Sequence, residues 1–261
     1  MLKTTNRVMV SRWRSGESTI EEDQVIVEYP LTIHLNGEEL VTLLCTPTSL
    51  KELIAGFLLS ESFIDDIDEI IELNVEEEAG LATVNTEIKR PLREKLIGRR
   101  TITSGCGKGT SFYNAVDQTK AIKIQKSMEI HPSIVLQLMR EFNQSSLLFR
   151  ETGGVHGCAL CNSSEILFQE EDIGRHNAMD KLIGRARLEG KELSDKLVLT
   201  TGRVSSELLI KAAKQGIPVI ASRSAPTELA VRLAQETGIT LIGFARGDKL
   251  NIYSNFPSTK V

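Results

Sequence analysis

The residues from Lys196 to Gly247, KLVLTTGRVSSELLIKAAKQGIPVIASRSAPTELAVRLAQETGITLIGFARG, carry the clearest indication of the fold. They contain three short runs rich in Val and Ile, KLVLTTG, IPVIAS and ITLIGFARG, which are typical of strands buried on both faces of a sheet. Two amphipathic segments separate them and predict helices that end at Gly216 and Gly238, with Pro226 near the start of the second helix, where its fixed φ suits a first turn. Strands that alternate with helices pair in parallel through right-handed crossovers, so this region predicts a layered α/β domain.

An arginine follows each of the three predicted strands. Arg203, Arg223 and Arg246 stand where the strands end, with glycine or serine alongside. Ligands of parallel sheets bind at the carboxyl ends of the strands, and both arginine and free backbone N–H groups bind phosphate. Any one of these arginines alone is best interpreted as a solvated loop charge. Three at the same edge of a sheet indicate a site for an anionic ligand, such as a nucleotide phosphate.

The composition excludes several classes of protein. The chain has 261 residues, of which 41% are hydrophobic and 25% are charged, with a formal net charge of −4. These values are ordinary for a globular protein and argue against a general nucleic-acid-binding protein, which is usually basic. No apolar run approaches the roughly 20 residues of a membrane helix, and the N-terminus lacks the apolar segment of a signal peptide. We therefore expect a cytoplasmic protein that binds neither nucleic acid nor a membrane.

The sequence predicts two domains with a boundary near residue 100. Residues 1–100 predict a smaller, β-rich α+β domain, and residues 101–261 predict a larger α/β domain. In the first part, Asn36-Gly37 between two strand-like runs predicts a type I′ hairpin. Ser49 and Glu52 have the spacing of a capping box and predict the start of a helix. A further helix is expected to begin near Pro132, where apolar residues recur at helical spacing.

A glycine-rich loop, TSGCGKGTS at residues 103–111, carries a cysteine outside any apolar run. The glycines on both sides of Cys106 leave room for a reaction partner, and the charge of Lys108 favours the thiolate, which is the reactive form. Such a thiol suits nucleophilic attack on a disulfide, a persulfide or an electrophilic carbon. A flexible loop with an incidental cysteine is an equal alternative. The spacing does not match a phosphate-binding P-loop.

The other cysteines have less exposed settings. The segment TGGVHGCALC, residues 152–161, offers His156, Cys158 and Cys161 as zinc ligands. Zinc deaminases, however, place the cysteine pair far downstream of the histidine. In an extended strand Cys158 and Cys161 point to opposite faces, so burial of both is favoured over a metal site or a resolving thiol pair. His156, at the edge of this strand, is then free for polar chemistry. Cys45, within LVTLLCTP, is expected to be a small buried hydrophobic residue.

The segment EEDIGRHNAMDKLIGRA, residues 170–186, predicts a loop that enters a helix near Arg175. Asp180 follows His176 by four residues and therefore lies on the same face of that helix. A histidine and an aspartate in this arrangement orient an imidazole as an acid or a base. A cluster of capping residues and ion pairs without any chemistry explains the same pattern equally well.

Taken together, TSGCGKG, TGGVH, EDIGRHNAMDKLIG and the stretch from Thr200 to Tyr253 resemble the FdhD family of formate dehydrogenase accessory sulfurtransferases. The resemblance is strong from about Arg100 to Tyr253, and its most specific part is D-x-GRHNA-x-DK. It implies a cytidine-deaminase-like larger domain without a zinc site, and a homodimer. It also implies that the protein takes sulfur from a cysteine desulfurase as a persulfide. The sulfur then passes to the molybdenum bis(molybdopterin guanine dinucleotide) cofactor, as formate dehydrogenase activity requires.

Carried over by position, the resemblance makes Cys106 the persulfide-bearing residue. It assigns the guanine dinucleotide to one strand end, whose residues are Phe244, Ala245, Arg246, Gly247, Asp248 and Lys249; Arg203 and Arg223 join it from the other strand ends. Supporting roles as orienting or acid–base groups are expected for Lys108, His156, Arg175, His176 and Asp180.

One departure from the family pattern concerns the cysteine loop. Many family members carry C-x-x-C there, whereas this chain keeps a single cysteine. One persulfide on Cys106 is still chemically complete, because an external thiol or the cofactor itself is able to accept the sulfur. Two alternatives come from other classes. One is a non-catalytic chaperone that holds the cofactor, and the other is a zinc hydrolase built on His156, Cys158 and Cys161.

Overall fold

The computed structural model describes residues 2–88, 101–102, 122–124 and 128–255, with the backbone alone at 101–102. The predicted site residues Cys106 and Lys108 lie outside these ranges. The described part is a mixed α/β protein with a two-stranded ribbon, a five-stranded sheet and a six-stranded sheet.

The N-terminal part is rich in strands, as predicted. Its elements are β1 (Thr5–Arg14), β2 (Glu17–Ile26), β3 (Tyr29–Leu35), β4 (Glu38–Cys45), α1 (Leu50–Ser60), a 3₁₀ helix (Ile67–Glu69), β5 (Ile70–Glu76), β6 (Leu81–Thr86) and β7 (Thr101–Ile102). β1 and β2 form the ribbon, and the five-stranded sheet has the order β5-β6-β3-β4-β7. Asn36 and Gly37 join β3 to β4 with φ values of 53° and 87°. Two positive φ angles in a two-residue loop confirm the predicted type I′ hairpin.

Helix α1 begins close to the predicted position, but the predicted capping box is wrong. Ser49 has a left-handed φ of 48° and makes no side-chain cap. Its Oγ donates instead to Oε2 of Glu170, at 2.7 Å. The hydroxyl that the sequence pattern assigned to the helix terminus therefore joins the N-terminal part to the larger sheet.

The C-terminal part contains the six-stranded sheet and its helices. The elements are α2 (Pro132–Ser145), α3 (Leu147–Thr152), β8 (His156–Cys161), β9 (Ile166–Asp172), α4 (Arg175–Leu188), β10 (Leu197–Thr200), α5 (Ser206–Lys214), β11 (Val219–Ser222), α6 (Glu228–Thr237), β12 (Thr240–Arg246) and β13 (Lys249–Ile252). The order across the sheet is β13-β12-β11-β10-β8-β9. β10, β11 and β12 run parallel, as predicted. The other neighbours pair antiparallel, so the sheet as a whole is mixed.

The helices lie on both faces of this sheet. Apolar residues of α2 pack on one face, and those of α4, α5 and α6 pack on the other. The predicted ends of α5 and α6 near Gly216 and Gly238 are confirmed, and both glycines have positive φ. Pro226 lies outside α6, because Thr227 is the N-cap and Pro226 forms a parallel bridge with Val204. Pro226 is near the start of α6, as predicted, but immediately precedes the N-cap and does not form part of the first turn.

One apolar cluster extends through both sheets. Its buried side chains include Ile33 of β3 in the five-stranded sheet, Leu53 of α1, Leu182 of α4 and Ile220 of β11 in the six-stranded sheet. The division of the chain at residue 100 stays a prediction. Within the described residues, the two parts share this core.

Candidate functional site

The carboxyl ends of the parallel strands open into a pocket of about 480 Å³. Polar groups line it from three strand ends and from the start of β8, namely His156, Thr201, Arg223, Ser224 and Arg246. The rest of the lining is aromatic, aliphatic or glycine, namely Phe149, Gly153, Gly154, Val155 and Phe244. A cavity with this composition suits a ligand that combines a planar ring with anionic groups.

Side-chain and backbone hydrogen bonds fix the turns that follow β10 and β11. The Ser222 hydroxyl donates to the Gly202 carbonyl oxygen at 2.7 Å and accepts from the Ser224 backbone N–H at 2.9 Å. The Arg223 backbone N–H donates to the Thr200 carbonyl oxygen at 3.0 Å. These contacts hold the loop that carries Arg223 against the neighbouring strand end. The arginine side chain is therefore presented from an ordered backbone.

The end of β12 has an unusual backbone. Phe244 has a φ of 53°, which is left-handed, and its N–H donates to the Ser224 carbonyl oxygen at 3.1 Å. A register shift between Gly243 and Arg246 accompanies this conformation. The Arg246 guanidinium carbon lies 5.8 Å from the centre of the Phe244 ring, a cation–π arrangement. Non-glycine residues rarely adopt positive φ, and such residues are concentrated at functional sites.

The remaining predicted residues at this strand end lie outside the pocket lining. Ala245 is fully buried in the core, so its side chain is not available to a ligand. Gly247, Asp248 and Lys249 lie at the tight turn between β12 and β13, where Asp248 and Lys249 are exposed. Arg203 follows β10 and is also exposed. The structure thus brings Arg223 and Arg246 to one pocket, with Arg203 beyond its lining.

His156 begins β8 and is half-buried at the pocket wall. Burial lowers the pKa of its imidazole, and the positive charges of Arg175 and Arg203 lower it further, against the opposing charge of Asp172. His156 is therefore a neutral imidazole near pH 7, able to donate one hydrogen bond and to accept another.

His176, in the first turn of α4, lies near His156 and Arg175. Its Nε2 is 3.3 Å from the Ser205 hydroxyl and 3.3 Å from Oε2 of Glu207. Burial lowers the pKa of His176 to about 3, with Lys211 and Arg175 adding to the effect. The imidazole is therefore neutral near pH 7, where Nε2 shares a hydrogen bond with the Ser205 hydroxyl and lies close to the Glu207 carboxylate.

Of the two interpretations of His176 and Asp180, the structure favours the ion-pair cluster, because Asp180 pairs with a lysine and not with His176. Asp180 is fully buried, and both of its carboxylate oxygens accept from Nζ of Lys211 on α5, at 2.8 and 2.7 Å. Lys211 also lies 3.3 Å from Oε1 of Glu61. Asp180 lies four residues after His176 on α4, but its buried carboxylate pairs with Lys211 on the neighbouring helix α5.

Other residues of the GRHNA-x-DK motif have structural roles. Lys181 is fully buried and pairs with Asp172, Nζ to Oδ2, at 2.7 Å; it also donates to the Thr46 carbonyl oxygen at 2.9 Å. Asn177 donates to Oδ1 of Asp172 and to the Leu44 carbonyl oxygen, both at 2.9 Å. These contacts tie α4 to the end of β4. Asp172, Asn177 and Lys181 of the D-x-GRHNA-x-DK motif therefore join the two parts of the protein.

The cysteines of β8 do not form a metal site. Cys158 packs into the cluster beneath α4, whereas Cys161 packs into the cluster beneath α2, on the opposite face of the sheet. Burial raises the pKa of each thiol to about 12, so both stay protonated at neutral pH. Among the described residues no group of three His, Cys, Asp or Glu side chains is arranged to hold a metal ion. The predicted burial of Cys45, Cys158 and Cys161 is confirmed.

Several residues of the pocket were not predicted from the sequence. Phe149, Gly153 and Gly154 come from the segment between the start of α3 and β8, and Thr201 follows β10, whereas Ser224 was expected beside Arg223 at the end of β11. The glycine pair in TGGVH was the available signal, because adjacent glycines mark a close approach of the backbone. Phe149 had no such signal, since an aromatic residue in a short helical segment is most often a core residue.

These features are those of a mixed α/β protein with a ligand pocket, lined by arginine and phenylalanine, at the ends of its parallel strands. Within the described ranges, no helix is long and apolar enough to cross a membrane.

The model of the FdhD/NarQ family matches residues 26–259, and the chain belongs to this family. The chain is 44% identical to the sulfur carrier protein FdhD of Listeria monocytogenes serotype 4b over 249 residues, which cover 95% of each chain. It is also 44% identical to the sulfur carrier protein FdhD of Bacillus subtilis over 246 residues, which cover 94% of each chain. A crystal structure from Desulfotalea psychrophila, described as that of a formate dehydrogenase accessory protein, superposes with a TM-score of 0.79 at 27% identity. The match covers 97% of this chain and 98% of the other.

Proposed function

We propose that this protein is a sulfurtransferase that serves formate dehydrogenase. It takes sulfur from a cysteine desulfurase as a persulfide on Cys106 and delivers it to the molybdenum bis(molybdopterin guanine dinucleotide) cofactor. Relatives at 44% identity are sulfur carrier proteins, which supports the sulfur-transfer part of the proposal. The observation that carries the binding part is the pocket at the strand ends, where two arginines and two phenylalanines line one cavity.

The pocket residues have distinct roles in this proposal. Arg223 and Arg246 bind the phosphates of the guanine dinucleotide, because a guanidinium forms paired hydrogen bonds with phosphate oxygens. Arg203 and Arg175 add positive charge beside His156, and both charges lower the pKa of its imidazole. The neutral imidazoles of His156 and His176 supply hydrogen bonds without adding charge.

The sulfur step is a thiol–persulfide exchange. The Cys106 thiolate attacks the outer sulfur of the desulfurase persulfide, the sulfur–sulfur bond of that persulfide breaks, and the desulfurase thiolate leaves. In the second step a thiol attacks the inner sulfur of the Cys106 persulfide and forms a disulfide with it. The outer sulfur then leaves as sulfide for the cofactor, with the two electrons of the broken bond. The buried thiols Cys158 and Cys161 take no part.

Intact-mass measurement tests the carrier role. The wild-type protein, incubated with a cysteine desulfurase and cysteine, is expected to gain one sulfur atom. Cys106→Ser should gain none, whereas Cys161→Ala, which removes a buried thiol, should gain sulfur like the wild type. Activity of formate dehydrogenase restored by Cys106→Ala in a strain without this protein would contradict the proposal. Absence of any sulfur gain in the wild type would favour the alternative, a chaperone that holds the cofactor without moving sulfur.

Calorimetric titration with GDP tests the pocket. Arg246→Ala and Arg223→Ala are each expected to weaken GDP binding by roughly tenfold to a hundredfold, as lost charge-assisted hydrogen bonds do. Arg232→Ala is the matched control, because Arg232 is exposed on α6 and does not line the pocket. Equal GDP affinity in all three variants would show that the nucleotide binds elsewhere.

A further inference from the structure

We propose that Phe149 is the residue on which the base of the bound nucleotide stacks. The proposal rests on the proposed function, since it takes a guanine nucleotide as the ligand of the strand-end pocket. It concerns a residue outside all three strand ends, on the short helix α3. It makes Phe149 a determinant of base binding, separate from the arginines that bind phosphate.

The first observation is the exposure of Phe149. Its side chain is 40% exposed and lines the pocket together with Phe244, Arg223 and Arg246. Covering an apolar ring removes it from water, so a large ring left at the wall of a cavity is available to a ligand. Phe149 therefore supplies an apolar surface in a pocket whose other side chains include two cations.

The second observation distinguishes the two phenylalanines of the pocket. The ring of Phe244 already has the Arg246 guanidinium over it, at 5.8 Å from the ring centre. In the described part of the chain, Phe149 has neither an aromatic ring nor a cation over its face. A base that stacks on the same face of Phe244 would compete with Arg246, which the phosphate requires. Stacking on Phe149 leaves the cation–π pair intact.

The third observation is that α3 is fixed at both ends. Oε2 and Oε1 of Glu171 accept from the backbone N–H groups of Leu148 and Phe149, at 3.2 and 3.1 Å. At the other end Gly153, with a φ of 66°, donates its N–H to the Phe149 carbonyl oxygen at 2.8 Å. A ring held on a fixed backbone loses little entropy when a ligand stacks on it. Glu171 is thus a positioning residue for Phe149.

Binding of two probes to three variants tests the inference. GDP carries the base, and inorganic pyrophosphate carries the phosphates alone. Phe149→Ala is expected to weaken GDP binding roughly tenfold, the usual loss when one base–aromatic stack is removed, and to leave pyrophosphate binding unchanged. Leu147→Ala is the matched control, because Leu147 lies on the same helix, is 59% exposed and does not line the pocket. Phe149→Trp should restore GDP affinity.

A fluorescence signal gives a second measurement. The chain has one tryptophan, Trp13, so Phe149→Trp in a Trp13→Phe background contains a single indole at the pocket. GDP is expected to quench its emission, and pyrophosphate to leave it unchanged. GDP binding that is equal in Phe149→Ala and Leu147→Ala, or an unquenched indole at saturating GDP, would overturn the inference. In that case weaker GDP binding by Arg246→Ala would still support the proposed function, although the inference about Phe149 would have failed. Failure of the wild type to bind GDP would contradict both the inference about Phe149 and the proposed nucleotide binding.

Discussion

Among single residues, the charged side chains that line the pocket differ from those buried in the core. Arg223 and Arg246 reach an open pocket. Lys181 and Lys211 are buried, and each pairs with a buried aspartate. Removal of one partner of such a buried pair is strongly destabilising, because an uncompensated charge remains in the interior. Substitutions at the lysines are therefore expected to reduce stability, whereas substitutions at the arginines test the proposed binding.

His176 is expected to make the stability of the protein depend on pH. Its pKa is about 3 in the folded protein, because of burial and the nearby cations Lys211 and Arg175, with His156 also adding to the effect. An unfolded chain restores a value of about 6.5. Between these values the unfolded state binds more protons, so stability is expected to fall as the pH drops from about 7 to 5.

Urea unfolding at pH 7 and pH 5 checks this expectation. The wild type should lose more unfolding free energy between the two pH values than His176→Gln, which cannot titrate. Burial raises the pKa of Glu207, so this carboxyl group binds more protons in the folded protein and opposes the effect; Glu207→Gln should therefore enlarge the loss. An identical pH dependence in the wild type and His176→Gln would contradict the assignment.

Among the helices and strands, α1 and α4 make the tightest crossing between the two parts of the chain. Gly56 and Gly184 face the partner helix directly. A Cβ on Gly56 would lie 1.8 Å from the Asp180 carbonyl oxygen, and one on Gly184 would lie 1.9 Å from that of Glu52. Backbone atoms cannot yield as a flexible side chain does, so only glycine permits this approach.

Gly56→Ala is therefore expected to destabilise the protein, although alanine favours helices. The expected loss of unfolding free energy is about 1–3 kcal/mol or more, because the helices must separate to accommodate the methyl group. Lys51→Ala, at an exposed position of the same helix, is the control and should change stability little. A Gly56→Ala protein as stable as the wild type, measured by urea unfolding, would contradict the described crossing.

In the molecule as a whole, the two sheets share one apolar cluster. Its members include Leu43 of β4, Leu58 of α1, Met179 of α4 and Leu241 of β12. The buried contacts of α4 and β9 with residues 44 and 46 cross the same boundary. The pocket therefore lies at the edge of the six-stranded sheet, and helix α4, which covers one face of that sheet, is held in place by the N-terminal part.

We expect a single cooperative thermal transition, because neither part has a complete core without the other. Scanning calorimetry should give equal calorimetric and van't Hoff enthalpies. Leu53→Ala in α1 and Leu182→Ala in α4, both buried positions, should lower the midpoint of the same transition. Two separate transitions, each shifted by one of the variants, would show independent domains instead.

Local sequence was sufficient to predict the parallel strands β10, β11 and β12, the intervening helices, the hairpin at Asn36-Gly37 and the burial of the β8 cysteines. Each of these follows from local periodicity or from a backbone preference that near neighbours fix. The positions of Arg223 and Arg246 at strand ends were also predictable, since parallel pairing brings those ends to one edge.

The partner that each polar side chain takes was not predictable without the three-dimensional packing. Ser49 bonds to Glu170 rather than capping α1, Asp180 pairs with Lys211 rather than with His176, and Phe149 lies at the pocket. The desolvated carboxylate of Asp180 requires the nearest cation in space, and spacing along one helix does not reveal a lysine on another. Phe149 likewise reaches the pocket through the capping of α3 by Glu171, a contact between residues 22 positions apart in the chain.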